Sequence, residues 1–326
     1  MAKKIIIYGV NWYFGGPLVL AALCKTFRDL GYDARIMFTY AYQSNPKSKD
    51  GCREYAMKHL IKQWVAYHIH RIFKHIHFLD AYLLKESPLT SMPGIKIQYN
   101  PFFSRDNTIV IYPECQYGNP LNAKHVMRWL LFHYMFEDDA NAYEKNDFFV
   151  CFRKYFNSPN LNPKEIMLQV NYFDNILYRQ YNFGPRKGKC YILRKGKNRK
   201  DLPNHFDGPV YDNDLTQEEL VKMFNEYEYC YSYDTQTFYS TIAVVCGCKS
   251  VVVMEPGKTV DDYLSKDEKN HYGIAYGDSP EQLEYAEKTR HLKIESLNYA
   301  PSNEASVRSF LPYLEEKFGK IKRIDE

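Results

Sequence analysis

The sequence predicts an α/β protein built from two Rossmann-like domains. Short runs rich in β-branched residues alternate with segments in which apolar residues recur every three or four positions, as in βαβ units. The first unit is the clearest: residues 4–10 predict a buried strand, residues 19–30 a helix, and residues 35–39 a second strand. A loop with Gly15 and Gly16 joins the first strand to the helix, which completes half of a Rossmann fold. A chain of 326 residues is long enough for two such domains.

The pattern continues through the first domain. Residues 108–112 predict a strand. Asn119 followed by Pro120 predicts a helix start, because asparagine caps helices and proline fits their first position. One face of that helix would carry Val126, Trp129, Leu130 and His133. Residues 148–152 and 166–170 predict two later strands.

The second domain begins near residue 180, where the composition changes. One of its helices follows a capping box formed by Thr216 and Glu219. Its predicted strands are residues 190–193, 229–232 and 250–254. We expect the domains to face each other across a cleft. The predicted parts are residues 1–180, residues 181–302, and a C-terminal helix at 303–326 that returns to the first domain.

Composition excludes several classes of protein. With 45% hydrophobic and 25% charged residues, the chain is neither disordered nor of low complexity. No apolar run approaches the ~20 residues that span a membrane, and the N-terminal apolar stretch predicts a strand rather than a signal peptide. The eight cysteines form no CxxC pair, so we expect neither a zinc site nor disulfides, and a reducing setting fits best. A net charge of +4 is too small to indicate nucleic-acid binding.

The loop before the first helix is a candidate ligand site. Gly15 and Gly16 let a donor approach the backbone, and a helix start attracts anions. Tyr13, in the same loop, is a candidate acceptor contact. Because Gly9 stands six residues before Gly15, the GxGxxG spacing of dinucleotide-binding proteins is absent. A tight turn without a ligand is the alternative interpretation.

A second candidate site follows the strand at 108–112, at the sheet edge where open α/β sheets bind ligands. Glu114 is a candidate general base or an acceptor for a sugar hydroxyl. His133 is the other candidate base, and Asn119 is a candidate acceptor contact. The alternative is a solvated loop glutamate beside an asparagine that only caps a helix.

Residues 186–200 hold many basic side chains and no acid. Arg194, Lys195 and Lys197 follow the predicted strand at 190–193, and cationic side chains at a strand end can bind phosphates. We expect these three residues to bind the phosphates of a donor. A solvated basic linker is the alternative.

Residues 232–253 form the most specific stretch of the sequence. A strand ends in polar residues, a helix follows and ends at Gly247, and a valine-rich strand returns. Backbone N–H groups near the helix start would face a diphosphate. Alternatively, the polar residues merely cap the helix. The candidate donor contacts are Asp234, Thr235, Gln236, Thr237 and Tyr239.

This stretch resembles the donor-site region of GT-B glycosyltransferases, in its polar strand end, helix, Ala-x-x-x-Gly ending and following strand. The loop at 15–16 and the pair Arg194-Lys195 are similar to the N-terminal loop and the donor-phosphate position of that family. Residues 112–130 are similar to a segment of bacterial surface-polysaccharide transferases. The resemblance covers the cores of the two domains and leaves residues 45–105 unmatched.

The resemblance implies a GT-B fold and transfer of a hexosyl or deoxyhexosyl unit from a nucleotide sugar to a glycan or lipid-linked acceptor in surface-polysaccharide synthesis. The second domain would bind the donor, and the first the acceptor. We expect no cofactor and no metal, because basic side chains and the helix start would supply positive charge. Retaining members often carry two glutamates eight positions apart before the helix-ending glycine; here those positions hold Asp234 and Ile242.

Residues 47–77 combine basic and aromatic side chains, a pattern that can lie on an anionic membrane, although an ordinary surface helix is the alternative. His68 and His70 would not share a helix face, so we expect no metal there. Asp212 and Asp214 precede the capping box, which indicates a loop rather than the DxD motif of metal-dependent transferases.

Two other functions stay open at this point. One is a nucleotide-dependent oxidoreductase on a doubly wound fold, which the missing dinucleotide spacing disfavours. The other is a non-catalytic carbohydrate- or membrane-binding protein that keeps the fold. For a glycosyltransferase, the expected partners are a nucleotide sugar and a glycan or lipid-linked acceptor. The expected location is cytoplasmic, with contact at the inner face of the cell membrane as an option.

Overall fold

The computed structural model describes residues 1–13, 15–42, 49–73, 77–133, 135–136, 139, 141–235, 237–263 and 268–326. The chain forms two compact units. The N-terminal unit comprises Met1–Tyr172 and Tyr299–Glu326, and the C-terminal unit comprises Phe173–Asn298. The divide therefore falls after Tyr172, whereas composition indicated a boundary near residue 180.

The N-terminal unit is built on a parallel sheet of five strands in the order β2-β1-β3-β4-β5. The core of the sheet is apolar on both faces, as parallel sheets covered by helices require. Helices α1 (Gly15–Asp29) and α2 (Lys49–Ile72) follow the first two strands. The strands are β1 (Lys4–Val10), β2 (Ala34–Thr39), β3 (Thr108–Pro113), β4 (His125–Leu130) and β5 (Phe148–Cys151).

Two element predictions in this unit were wrong. The helix predicted to follow Asn119 is absent, and its apolar residues form the interior strand β4, between β3 and β5. A fully buried strand is apolar on both faces, so periodicity alone does not separate it from a buried helix. Residues 166–170 form no strand either; a single bridge joins Met167 to Cys151 at the edge of β5.

The C-terminal unit repeats the architecture with a second parallel sheet, in the order β10-β9-β8-β6-β7. Helix α3 (Gln217–Glu226) lies between β7 and β8, α4 (Tyr239–Val245) lies between β8 and β9, and α5 (Pro280–Ser296) follows β10. The predicted capping box of Thr216 and Glu219 is confirmed at the start of α3. The strands are β6 (Lys189–Ile192), β7 (Val210–Tyr211), β8 (Tyr229–Ser232), β9 (Lys249–Val252) and β10 (Ile274–Tyr276).

The last helix, α6 (Ala300–Phe318), packs in the N-terminal unit. Its Asn303 side chain accepts from the Asn171 N–H at 2.9 Å and donates to the Asn171 carbonyl at 2.8 Å. Phe310 is buried and stacks on Phe148 of β5 with ring centroids 6.4 Å apart. The predicted α/β class with two Rossmann-like domains and a returning C-terminal helix is confirmed.

The helices of the described residues include none that is both long and apolar enough to cross a bilayer.

Candidate functional site

The carboxyl ends of parallel strands meet at one edge of a sheet, and open α/β sheets bind ligands at that edge. In the C-terminal unit, this edge carries the Arg194 cluster, which we define as Arg194, Asn213, Thr237 and Tyr239. In the N-terminal unit, the edge carries Glu114 and the backbone that surrounds it.

Two loops and the first residue of helix α4 hold the guanidinium of Arg194. Its Nε donates to Asn213 Oδ1 at 2.7 Å, and its Nη1 donates to Thr237 Oγ1 at 3.4 Å. The guanidinium carbon also lies 4.6 Å from the centroid of the Tyr239 ring. These partners follow β7 and β8, so the cluster joins the ends of three neighbouring strands around one cation.

The ring of Tyr239 is itself fixed. It packs edge-on against Tyr211 at 5.1 Å between centroids, and its hydroxyl accepts from Gln217 Nε2 at 3.5 Å. Gln217 Oε1 in turn accepts from the Tyr178 hydroxyl at 2.8 Å. These contacts position the Tyr239 ring against which the Arg194 guanidinium packs.

Close backbone packing fixes the loop after β6. A Cβ atom on Gly196 would lie 2.2 Å from the carbonyl oxygen of Tyr233, so only glycine fits there. Arg199, in the same segment, donates to the carbonyl of Val253 at 2.7 Å and to that of Met254 at 2.9 Å. It also donates to the Tyr233 carbonyl at 3.3 Å. Arg199 therefore ties together the carboxyl ends of β8 and β9.

Asp234 carries a buried oxygen without a partner among the described residues. The residue is 3% exposed, and its Oδ2 accepts no hydrogen bond from the described residues. The backbone of Asp234 packs against Gly196, which places this residue beside the loop that carries Arg194. A buried carboxylate oxygen strongly favours a hydrogen-bond donor, and a ligand hydroxyl can supply one.

The remaining predicted donor residues have different positions. Lys195 and Lys197 are exposed, and Lys197 Nζ lies 3.6 Å from Asp212 Oδ2.

Helix α4 begins only at Tyr239, so Thr235 and Thr237 belong to the preceding loop rather than to the helix start. Gln236 lies outside the described residues. Asp212 and Asp214 lie in the loop before the capping box, as predicted.

Glu114 lies at the end of β3 and is 6% exposed. Its Oε2 accepts from the Leu131 N–H at 2.9 Å, and the Tyr143 hydroxyl donates to its carbonyl at 2.5 Å. Burial raises the pKa of the Glu114 carboxyl above its ordinary value, although the N–H groups that it accepts from oppose that shift. Burial, with a contribution from Glu114, also raises the pKa of the neighbouring Cys115 thiol to about 12.

The glycine loop lies near this carboxylate. A Cβ atom on Gly16 would contact Leu131 Cδ1 at 3.4 Å, and Leu131 is the residue whose N–H binds Glu114. Gly15 has a φ of 49°, which favours glycine. The Tyr13 hydroxyl is buried and finds no partner in the described part of the chain. The structure therefore brings the glycine loop and Glu114 to the same sheet edge.

His133 and Asn119 differ from their predicted settings. His133 follows β4 in an exposed loop, where its ring packs 4.7 Å from Tyr155 and 4.9 Å from Phe132. Asn119 caps no helix: its Oδ1 accepts from the Tyr112 hydroxyl at 3.0 Å and the Ala123 N–H at 2.9 Å. These bonds, with a third from Nδ2 to the Ala123 carbonyl, close a turn.

Sequence reasoning missed Asn213 and Arg199. Asn213 stands between two acids whose loop carried no assigned role, and Arg199 is one of several basic residues in a row. Only their side-chain contacts distinguish them. Within the ranges described above, no group of three or more His, Cys, Asp or Glu side chains is arranged to hold a metal ion.

No protein-family model matches the sequence. No curated protein matches it either. Among solved structures, the chain is similar to a point mutant of S. aureus TarM crystallised with fondaparinux, alpha-GlcNAc-glycerol and UDP. That match has 11% identity, covers 98% of this chain and 100% of TarM, and has a TM-score of 0.38.

Two further solved structures are similar over most of both chains. Glycosyltransferase VinC in complex with DTDP has 11% identity and a TM-score of 0.31, covering 98% of this chain and 96% of VinC. MurG of Acinetobacter baumannii has 12% identity and a TM-score of 0.27, covering 96% of this chain and 99% of MurG.

Proposed function

We propose that this protein is a glycosyltransferase that takes its sugar from a nucleotide-sugar donor bound at the Arg194 cluster. The observation that carries the proposal is the fixed guanidinium of Arg194 at the carboxyl ends of β6, β7 and β8. A planar guanidinium suits the paired oxygens of a phosphate, and strand ends of this kind are where nucleotides bind in open α/β sheets.

Asp234 supports a ligand that carries hydroxyl groups as well as phosphate. Its Oδ2, which has no partner among the described residues, is buried beside the Arg194 loop, and a ribose or sugar hydroxyl would satisfy it. A nucleotide sugar offers both chemistries in one molecule. Simple phosphate esters without hydroxyls would leave this oxygen unpaired.

In the proposed reaction, the bond between the sugar and the diphosphate breaks as the acceptor oxygen bonds to the sugar, and the proton of the acceptor hydroxyl passes to the proposed base, Glu114. Negative charge grows on the departing diphosphate, and the Arg194 guanidinium would stabilise that charge. The exposed side chains of Lys195 and Lys197 would add to the positive field. We propose that these cations make a metal unnecessary.

The acceptor would bind at the Glu114 edge of the N-terminal unit. A carboxyl with a raised pKa is closer to the pKa that a general base needs at neutral pH. Phe132 directly follows Leu131, whose N–H binds Glu114. Phe132 and Tyr155 are 57% and 76% exposed and flank His133. Exposed aromatic faces of this kind suit a sugar ring, so we propose a glycan acceptor, as in surface-polysaccharide synthesis.

We also propose that α2 contacts an anionic membrane. Its last turn exposes Arg71 and Ile72, and Phe73 follows at 60% exposure. Co-sedimentation with vesicles of phosphatidylglycerol at low salt is the test. Replacing both Ile72 and Phe73 by Glu should abolish binding, and wild-type protein that stays in the supernatant would contradict the proposal.

Calorimetric titration with a panel of nucleotide sugars tests the donor site. Wild-type protein should bind at least one of them, and the double variant Arg194→Ala with Lys195→Ala should bind it about 100-fold more weakly, the loss expected from charge-assisted hydrogen bonds. Lys222→Ala on α3 is the matched control, because Lys222 is an exposed cation that pairs with Glu226 and contacts no member of the cluster among the described residues. Equal affinity of wild type and the double variant would overturn the assignment.

A further inference from the structure

Arg194 and Asn213 share an unusual backbone conformation. Their φ angles are 40° and 69°, and only two other non-glycine residues of the described chain have positive φ. The left-handed region crowds the Cβ atom of an arginine, whereas asparagine tolerates it better than most residues. Such strain persists only where the surroundings hold it, and it concentrates at functional sites.

A side-chain hydrogen bond joins these two residues. Arg194 Nε donates to Asn213 Oδ1 at 2.7 Å, which is shorter than the 3.4 Å contact from Nη1 to Thr237. Asn213 belongs to the loop after β7 and Thr237 to the loop before α4. Contacts at two different nitrogens of a planar group fix its orientation as well as its position.

We propose that Asn213 is a positioning residue, which holds the Arg194 guanidinium in the orientation that binds the donor diphosphate; this inference rests on the proposed function. With Nε on Asn213 and Nη1 directed at Thr237, Nη2 donates to no residue that the structure describes. Its two N–H groups therefore stay available to donate to a ligand oxygen, with the orientation already set. A group that is ordered before binding loses less conformational entropy when the ligand arrives.

The substitution Asn213→Gly isolates this role. Glycine adopts positive φ without strain, so the loop keeps its backbone while the amide oxygen is lost. The charge of Arg194 is unchanged, so any loss of affinity reflects orientation rather than charge. Asn198→Gly is the control, because Asn198 is an exposed amide in the neighbouring loop after β6.

The experiment is a double-mutant cycle in diphosphate binding. UDP, GDP and dTDP are titrated by calorimetry into wild type, Asn213→Gly, Arg194→Ala and the double variant. Asn213→Gly should weaken binding about tenfold, the loss of one charge-assisted hydrogen bond. Arg194→Ala should then weaken diphosphate binding by a smaller factor in the Asn213→Gly background than in wild type, because an unoriented guanidinium contributes less to binding. Asn198→Gly should bind as wild type does.

Each other outcome is decisive. Unchanged affinity in Asn213→Gly, or effects of the two substitutions that simply multiply, overturns the positioning role and leaves the proposed donor site standing. Wild-type protein that binds none of the three diphosphates overturns the proposed function and the positioning role with it. Should Asn213→Gly fail to fold by circular dichroism, Asn213→Ser carries the same test, since its shorter side chain does not reach Nε.

Discussion

Arg128 and Asp147 form a buried ion pair, with Nε of the arginine 2.8 Å from Oδ2 of the aspartate and side-chain exposures of 0% and 2%. Arg128 also donates to the carbonyls of Gln116 and Gly118, and its guanidinium lies between the rings of Tyr112 and Tyr143. The pair therefore anchors the chain that directly follows Glu114.

Asp147→Ala should strongly destabilise the protein. Removing the carboxylate leaves the Arg128 cation buried and unpaired, which costs about 3–5 kcal/mol of the free energy of unfolding. The measurement is urea denaturation followed by tryptophan fluorescence. Asp106→Ala is the matched control: Asp106 pairs with Lys124 at 2.6 Å, but the two side chains are 71% and 62% exposed. The control should lose far less stability, because water screens an exposed ion pair, and equal losses in the two variants would contradict the prediction.

Glu114→Gln should change how stability depends on pH. Because burial raises the folded-state pKa of Glu114 above its ordinary value of 4.5, the folded protein holds a proton that the unfolded chain has released once the pH rises above 4.5. Wild-type stability therefore falls as pH rises through the folded-state pKa. The variant lacks this ionisation, so its urea midpoint should exceed that of wild type by a growing margin as pH rises from 4.5.

Glutamine can still accept the Leu131 N–H, so hydrogen bonding is a minor difference between the two proteins. Parallel pH profiles for the two proteins would show that Glu114 does not ionise differently in the folded state. If Glu114 is the general base, the same variant should also lose transfer activity about 100-fold, within the range for general-base catalysis.

Gly196→Ala should disturb the donor site. The added methyl group would lie 2.2 Å from the Tyr233 carbonyl oxygen, which is backbone and has little freedom to move. Overpacking of this kind costs about 1–3 kcal/mol, and shifting the loop should also weaken diphosphate binding. Thermal melts and calorimetry measure the two effects. Gly184→Ala is the control, because its Cβ would meet only the end of the Asn182 side chain. A Gly196→Ala protein that melts and binds as wild type does would refute the close packing.

Arg199→Met tests whether Arg199 acts through its hydrogen bonds or only through its charge. Methionine fills a similar volume but donates no hydrogen bonds, so the carbonyls of Tyr233, Val253 and Met254 lose their partner. We expect a lower melting temperature and weaker nucleotide binding. Lys200→Met, which removes an exposed neighbouring cation, should leave both unchanged. Equal effects of the two substitutions would mean that Arg199 acts only through its charge.

Much of the fold was predictable because local patterns and tertiary environment agree. The strand–loop–helix–strand start, the capping box at Thr216 and the helix at 239–245 are all encoded within short segments. The prediction failed at β4, because a strand buried on both faces shows no alternation that would identify it. Asn119 looked like a helix cap, but its side chain closes a turn that Tyr112 stabilises from β3.

The sequence by itself determined the α/β class, the glycine loop and the positions of the cations and acids that end the strands, because these depend on residue types and short spacings. Tertiary structure alone decided which of those side chains act together. Arg194 meets Asn213 and Thr237 only because β6, β7 and β8 are neighbours in the sheet, although far apart in the chain. Contacts between distant segments depend on strand order, and strand order is set by the packing of the whole unit rather than by any local run of residues.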